Sequence, residues 1–204
     1  MSYKVGILDY GVGNLASIAN AVRRTGHDSI LVGVEHGLPN ISHLIIPGVG
    51  SFGYCREKLI NSNLDEILLE YIFNRKINAL GICVGMQLMF AGSDESPSVL
   101  GFGWVNGYIS KLKSVNGSRV PHVGWNNVRF EKKSLGFSEG DSPNFYFDHS
   151  YALKTTNPDL TIASSDYGGG FSAIVEKENL LGIQFHPEKS QKNGALILEN
   201  FLKN

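Results

Sequence analysis

Gly81-Ile82-Cys83-Val84-Gly85-Met86-Gln87 decides the fold of this chain. It follows an apolar run at 78–82 and precedes Met86, Leu88, Met89 and Phe90, which recur at helical spacing. The stretch therefore reads as strand, sharp turn, helix. Cys83 sits at the turn with a glycine two residues before it and two after. That is the strand–nucleophile–helix elbow, with sulfur in place of a serine hydroxyl. The glycines are expected there because the turn is tight and the backbone around it crowded. The N–H groups that open the following helix face the sulfur and favour its thiolate form.

Outward from the elbow, the first half alternates strands and helices. Residues 4–9 are a short apolar run that enters a loop at Gly11 and Gly13. Asn14 can cap the next segment, where Leu15, Ile18, Ala19 and Val22 keep helical spacing up to Gly26. Strands are expected at 29–34 and 43–46, the latter stopped by Pro47-Gly48, and an amphipathic helix at 64–73. This alternation implies a parallel sheet covered on both faces. After Gly92 the pattern changes. Segments 101–113, 120–130, 144–147, 160–165, 171–176 and 180–185 are strand-like and turn-rich, with a closing helix at 196–201. Antiparallel ribbons are expected in this half. With no linker, repeat or low-complexity stretch, residues 1–204 read as one α/β domain.

Composition excludes several function classes. A net charge of −1 without a long Lys/Arg run argues against nucleic acid or a membrane surface as main partner. A strand-like run from the first residues leads us to expect no secretory leader, and no apolar stretch is long enough to span a bilayer. Two cysteines far apart in sequence, Cys55 and Cys83, fit a reducing cytoplasm better than a disulfide framework. No Cys/His cluster has metal-ligand spacing, so no metal is expected. Cys55, at an expected helix start, reads as structural.

Thiol-based hydrolysis needs a base near the sulfur and a group that orients the base. Gln184-Phe185-His186-Pro187-Glu188 follows the last apolar strand, at the carboxyl edge where parallel sheets hold their sites. Glu188 is two residues beyond His186, on a link stiffened by Pro187. Its carboxylate can hold one imidazole nitrogen and leave the other for the thiol. Singly, each residue has an ordinary explanation: a buried cysteine, a loop histidine, a solvated glutamate. The joint pattern points to chemistry. Pro47-Gly48-Val49-Gly50 also follows a strand end, and such a glycine-flanked loop can aim N–H donors at an oxyanion. Val84 offers a further N–H from the helix start.

These residues resemble the class I (triad-type) glutamine amidotransferases over nearly the whole chain. GICVGMQ (81–87) is similar to the family's nucleophile motif and FHPEKS (185–190) to its His/Glu motif. DYGVGN (9–14), PGVGSF (47–52), PHVGWN (121–126), FYFDHSY (145–151) and QFHPEKS (184–190) narrow the resemblance to one branch. In that branch the glutaminase subunit feeds a (β/α)8-barrel cyclase subunit in histidine biosynthesis. The resemblance implies a three-layer, flavodoxin-like α/β fold with a mostly parallel central sheet and extra antiparallel strands in the second half. It implies no cofactor, L-glutamine as substrate, and a heterodimer with the barrel.

Residue by residue, the resemblance implies that Cys83 attacks the glutamine carboxamide, His186 moves the proton and Glu188 orients it. Gly48, Val49 and Gly50 would form the oxyanion strand with Val84. Gln87 and Glu95 would hold the substrate, with His149, Ser150 and Tyr151 on its other side. Asn14, Trp125, Tyr146 and Lys177 match positions near the docking face. Two residues depart from the family pattern: Val123 stands where Met is usual, and Asp148 where an apolar residue is usual. They open an alternative acceptor, a sugar aminated in surface-polysaccharide biosynthesis by a related barrel. A flavodoxin-like redox sensor or binding module is the rival from another class. It would not carry a matched His-Pro-Glu or a glutamine pocket.

Overall fold

Strands β1 (Lys4–Leu8), β2 (Asp28–Val32), β3 (His43–Ile46) and β4 (Asn78–Ile82) form the parallel half of one large sheet. The computed structural model describes residues 4–34, 36, 39–115, 117–154 and 157–203. Helices α1 (Leu15–Arg24), α2 (Phe52–Asn61), α3 (Leu64–Leu69) and α4 (Val84–Gln87) connect these strands or follow them. The second half adds β5 (Ile109–Lys111), β6 (His122–Asn127), β7 (Arg129–Phe130), β8 (Asn144–His149) and β9 (Tyr151–Leu153). It ends with β10 (Thr161–Ser165), β11 (Phe171–Lys177), β12 (Leu180–Ile183) and helix α5 (Gln191–Phe201). The large sheet runs β2-β1-β3-β4-β12-β11-β10-β7. β12 lies parallel to β4, and β11, β10 and β7 continue antiparallel.

The central strands are buried along nearly their whole length, as a sheet covered on both faces requires. α1 packs on α5, and α2 on α3. Two antiparallel pairs stand apart from the sheet, β5 with β9 and β6 with β8. The β6/β8 ribbon alternates cleanly. His122, Phe145, Phe147 and His149 point inward, while Val123, Trp125 and Asp148 face out.

Three expectations change. The helical pattern after Cys83 stops at Gln87, because segment 101–105 takes the carbonyls beyond it. Phe102 N–H donates to Leu88 O, Val105 N–H to Met89 O, and Gly103 N–H to Phe90 O. That also explains why most of 101–113 is not strand; only Ile109–Lys111 is. The expected helix at 64–73 is α3 followed by a π-helical turn at Glu70–Asn74. There Arg75 N–H reaches back to Glu70 O, and the Asn179 amide binds Ile72 O. Strand β9 follows β8 so closely that the sequence pattern does not separate them.

Candidate active site

Cys83 has φ 53° and ψ −112°, a conformation non-glycine residues rarely adopt. It is over-determined from both sides. Its N–H donates to Ile183 O at 2.8 Å. A Cβ on Gly85 would stand 2.0 Å from Ile46 O, and one on Gly81 2.7 Å from Met86 N. The flanking glycines are thus demanded by space, not by their own dihedrals. With four residues, α4 has little aligned dipole to offer a thiolate, so that task falls on the neighbouring imidazole.

The in-register pairing of Ile82 with Ile183 brings the ends of β4 and β12 to one edge. His186 leaves β12 there, its N–H donating to Tyr146 O at 2.9 Å and its carbonyl accepting from Ser190 Oγ at 2.6 Å. His186 Nδ1 is 2.9 Å from Glu188 Oε1. Burial pushes the His186 imidazole down, but hydrogen bonds to the Cys83 sulfur and the Glu188 carboxylate outweigh it and hold the ring up at about 10. The second carboxylate oxygen, Glu188 Oε2, is buried and has no hydrogen-bond partner among the described residues.

A cavity of about 340 Å³ opens over Cys83 and His186. Val49, Gly50, Val84, Gln87, Glu95, His149, Ser150 and Tyr151 all line it, as do Pro121, Asp148 and Lys189. Gly48 does not; it packs under the loop, where a Cβ would lie 2.3 Å from Gly85 N. The Val84 N–H opens α4 and has no intrahelical acceptor. Glu95 Oε2 accepts the Phe52 N–H at 2.7 Å, which leaves its other oxygen for the cavity.

Gln87 is buried, and its Nε2 donates to Tyr151 O at 2.9 Å and to Gln184 Oε1 at 3.1 Å. Gln184 Nε2 in turn points at Cys83 Sγ, 3.7 Å away. Gln184 belongs to the motif 184–190, and its own place beside the sulfur has a sequence signal too. The signal was present: a glutamine inside a fully apolar run must find a buried partner.

His149 has no free nitrogen. Its Nδ1–H donates to the Tyr151 carbonyl at 3.0 Å, so Nε2 accepts from His122 Nδ1 at 3.0 Å, and His122 Nε2 accepts from Asn126 Nδ2 at 3.2 Å. Burial pushes His149 down to about 3 and His122 to about 4, so both rings are neutral. His149 therefore presents a ring wall to the cavity and fixes the Ser150-Tyr151 turn.

The four expected docking residues do not all lie together. Trp125 pairs with Tyr146 across the ribbon, its indole half exposed and edge-on to the tyrosine. Asn14 caps α1 at the same carboxyl edge of the sheet, accepting the Ser17 N–H. Lys177 lies elsewhere. It is paired with Leu180 at the far end of β12, and its ammonium binds Trp104 O at 2.8 Å. The lysine beside the ribbon is Lys189, its ammonium 5.3 Å from the Tyr146 ring centre. Asp148 sits outward on β8 and is exposed. Among the described residues no three His, Cys, Asp or Glu side chains gather as a metal site, and no helix is long and apolar enough to cross a membrane.

A strand-edge thiol with a carboxylate-held imidazole at an open pocket suits an amide-hydrolysing class of protein. Residues 6–204 match the family model "Glutamine amidotransferase class-I", and the chain belongs to that family. Its relatives include the imidazole glycerol phosphate synthase subunit HisH of Leptospira borgpetersenii, 41% identical over 97% of this chain and 98% of that one. The subunit of the same name from Bacillus subtilis is 37% identical over 98% and 95%. The fold is shared with the PurLQS structure from Thermotoga maritima, at a TM-score of 0.76 and 19% identity over 100% of this chain and 99% of that one.

Proposed function

We propose that this chain is the glutaminase subunit of an imidazole glycerol phosphate synthase, a single amidotransferase domain working in the cytoplasm. One observation carries the reading: Cys83 and His186 meet at the wall of one cavity, and Glu188 holds His186 from behind. The imidazolium of His186, raised to about 10 against its burial by Cys83 and Glu188, pairs with the Cys83 thiolate. The thiolate attacks the carboxamide carbon of L-glutamine. The oxyanion that forms is received by the Val84 N–H and by the loop 47–50. His186 then gives its proton to the departing nitrogen, ammonia leaves, and a γ-glutamyl thioester remains. His186 next takes a proton from water, which attacks the thioester and releases glutamate. Glu188 holds Nδ1 throughout. The free Glu95 oxygen suits the α-ammonium of glutamine, and Gln87, held by Tyr151 and Gln184, shapes the floor.

Ammonia in neutral water is mostly ammonium, so useful transfer needs a dry path to the acceptor. The subunit names of the relatives support a partner subunit of the same synthase, and the motif resemblance makes that partner a (β/α)8-barrel cyclase, docked over Asn14, Trp125 and Tyr146. The sugar-amination reading has one observation behind it, the Val123–Asp148 cross-strand pair on the outer ribbon face. Purified Cys83→Ala tests the chemistry: it should bind the partner, hydrolyse no glutamine, and leave the partner's reaction supportable by free ammonium. Residual glutamine hydrolysis would remove Cys83 as nucleophile. Adding each kind of barrel and following glutamine turnover identifies the acceptor.

A further inference from the structure

The loop 47–50 is held from beneath by two side chains the reaction does not use. The Tyr10 hydroxyl donates to the Pro47 carbonyl at 2.5 Å. The Cys55 thiol donates to the Val49 carbonyl at 3.4 Å. Both residues are buried, with the hydroxyl and the thiol near each other. Burial pushes the thiol up to about 11, so it keeps its proton to donate.

Because each peptide is planar, fixing a carbonyl also fixes the N–H of the next residue. Tyr10 thereby sets the unit joining Pro47 to Gly48, and Cys55 the unit joining Val49 to Gly50. Among the described residues, no hydrogen bond engages the unit between them, the Gly48 carbonyl and Val49 N–H. The loop is two clamped peptides flanking one free one. Tyr10 also belongs to the segment 9–14 that ends at Asn14. Gly13 in that segment packs so closely that a Cβ would stand 2.9 Å from Pro47 Cβ. The segment therefore grips Pro47 at its carbonyl and at its ring.

We propose that Tyr10 and Cys55 are positioning residues for the oxyanion loop: they clamp both neighbours of the Gly48–Val49 peptide, leaving that unit alone free to turn. Tyr10 carries the placement of segment 9–14 into that loop. This inference rests on the glutaminase reading above.

The test uses the chain with its barrel partner, comparing Tyr10→Phe, Cys55→Ala and Cys55→Ser. Tyr10→Phe and Cys55→Ala each lower glutaminase kcat about tenfold, with KM for glutamine held within about twofold, as for loss of transition-state positioning alone. Cys55→Ser keeps a donor and recovers most of the rate. Melting temperatures show whether each variant is folded; should Cys55→Ala fail to fold, Tyr10→Phe decides. Wild-type kcat in Tyr10→Phe and Cys55→Ala overturns the proposal, as does an equal loss in Cys55→Ser and Cys55→Ala. Wild-type complex and Cys83→Ala run alongside. An inactive wild type or an active Cys83→Ala would instead defeat the glutaminase reading itself.

Discussion

His186 Nδ1 lies 2.9 Å from Glu188 Oε1, with both side chains at most 5% exposed and only Pro187 between them in sequence. A carboxylate so buried cannot turn to solvent, so it serves one imidazole nitrogen and stabilises the ring as a cation. Glu188→Gln keeps the size and removes the charge. We expect glutaminase kcat to fall by about 10²- to 10⁴-fold, the scale of losing a base-orienting carboxylate. The His186 ring should also lose part of its raised value, read by NMR as a lower titration midpoint, since the carboxylate charge that helps hold it up is gone. An unchanged His186 midpoint would deny Glu188 this role.

Among the buried imidazoles, His122, His149 and His186 give stability a two-sided pH dependence, and His43, also lowered by burial, adds to the acid side. His122 and His149 are pushed by burial to about 4 and about 3. The unfolded chain binds those protons from about pH 6.5 downward, before the native state does. Stability is therefore kept above about 6.5 and falls as pH drops toward 4 and then 3. His186 has the opposite sign. Its raised value means that its contribution is full below about 6.5 and is lost as pH rises through about 10. Urea midpoints from pH 3.5 to 10.5 should trace both limbs. His122→Phe, which keeps a ring between Phe147 and Tyr167, should make the acid limb shallower. The same acid slope in the variant would remove His122 from the account.

Gly85 and Gly26 separate two reasons for glycine. A Cβ on Gly85 meets Ile46 O at 2.0 Å, and Leu44, Ile45 and Ile46 are fully buried and cannot retreat. Gly85→Ala should cost more than about 3 kcal/mol by urea unfolding, as overpacking against backbone does. Gly26, just past α1, has φ 83° and open space around it. Gly26→Ala should cost only about 1 kcal/mol, the penalty of left-handed backbone. Equal costs would contradict the packing argument for the elbow.

The sequence made the parallel half and the elbow legible because buried strands are unbroken apolar runs and the elbow is local. It also placed Cys83, His186 and Glu188 on segments that do meet. It was weaker where distant backbone decides the outcome. The length of α4 depends on segment 101–105 accepting its place beneath Phe90, which no local pattern records. His149 does line the cavity, but how it is held was not legible, since its nitrogens are taken by Tyr151 and by His122, a partner 27 residues away in sequence. Motif likeness puts Lys177 near the docking face, while strand direction puts it at the other end of the sheet.

That last point gives a direct test of the docking face. From Leu180, opposite Lys177, to Ile183 is three strand steps of about 3.3 Å, so Lys177 lies some ~10 Å or more from the edge His186 leaves. Its ammonium is already satisfied by Trp104 O. Trp125 instead presents a half-exposed indole on the outer ribbon face, with Tyr146 and Lys189 beside it. Large aromatics with such partners dominate protein interfaces. In calorimetric titration with the barrel subunit, Trp125→Ala should weaken binding by about 2 kcal/mol or more, roughly 30-fold. Lys177→Ala should change affinity by less than about twofold, the scale of a surface substitution outside the contact. If Lys177→Ala weakens the complex as much as Trp125→Ala, the docking face extends around the sheet to its far end, and the ribbon is not its centre.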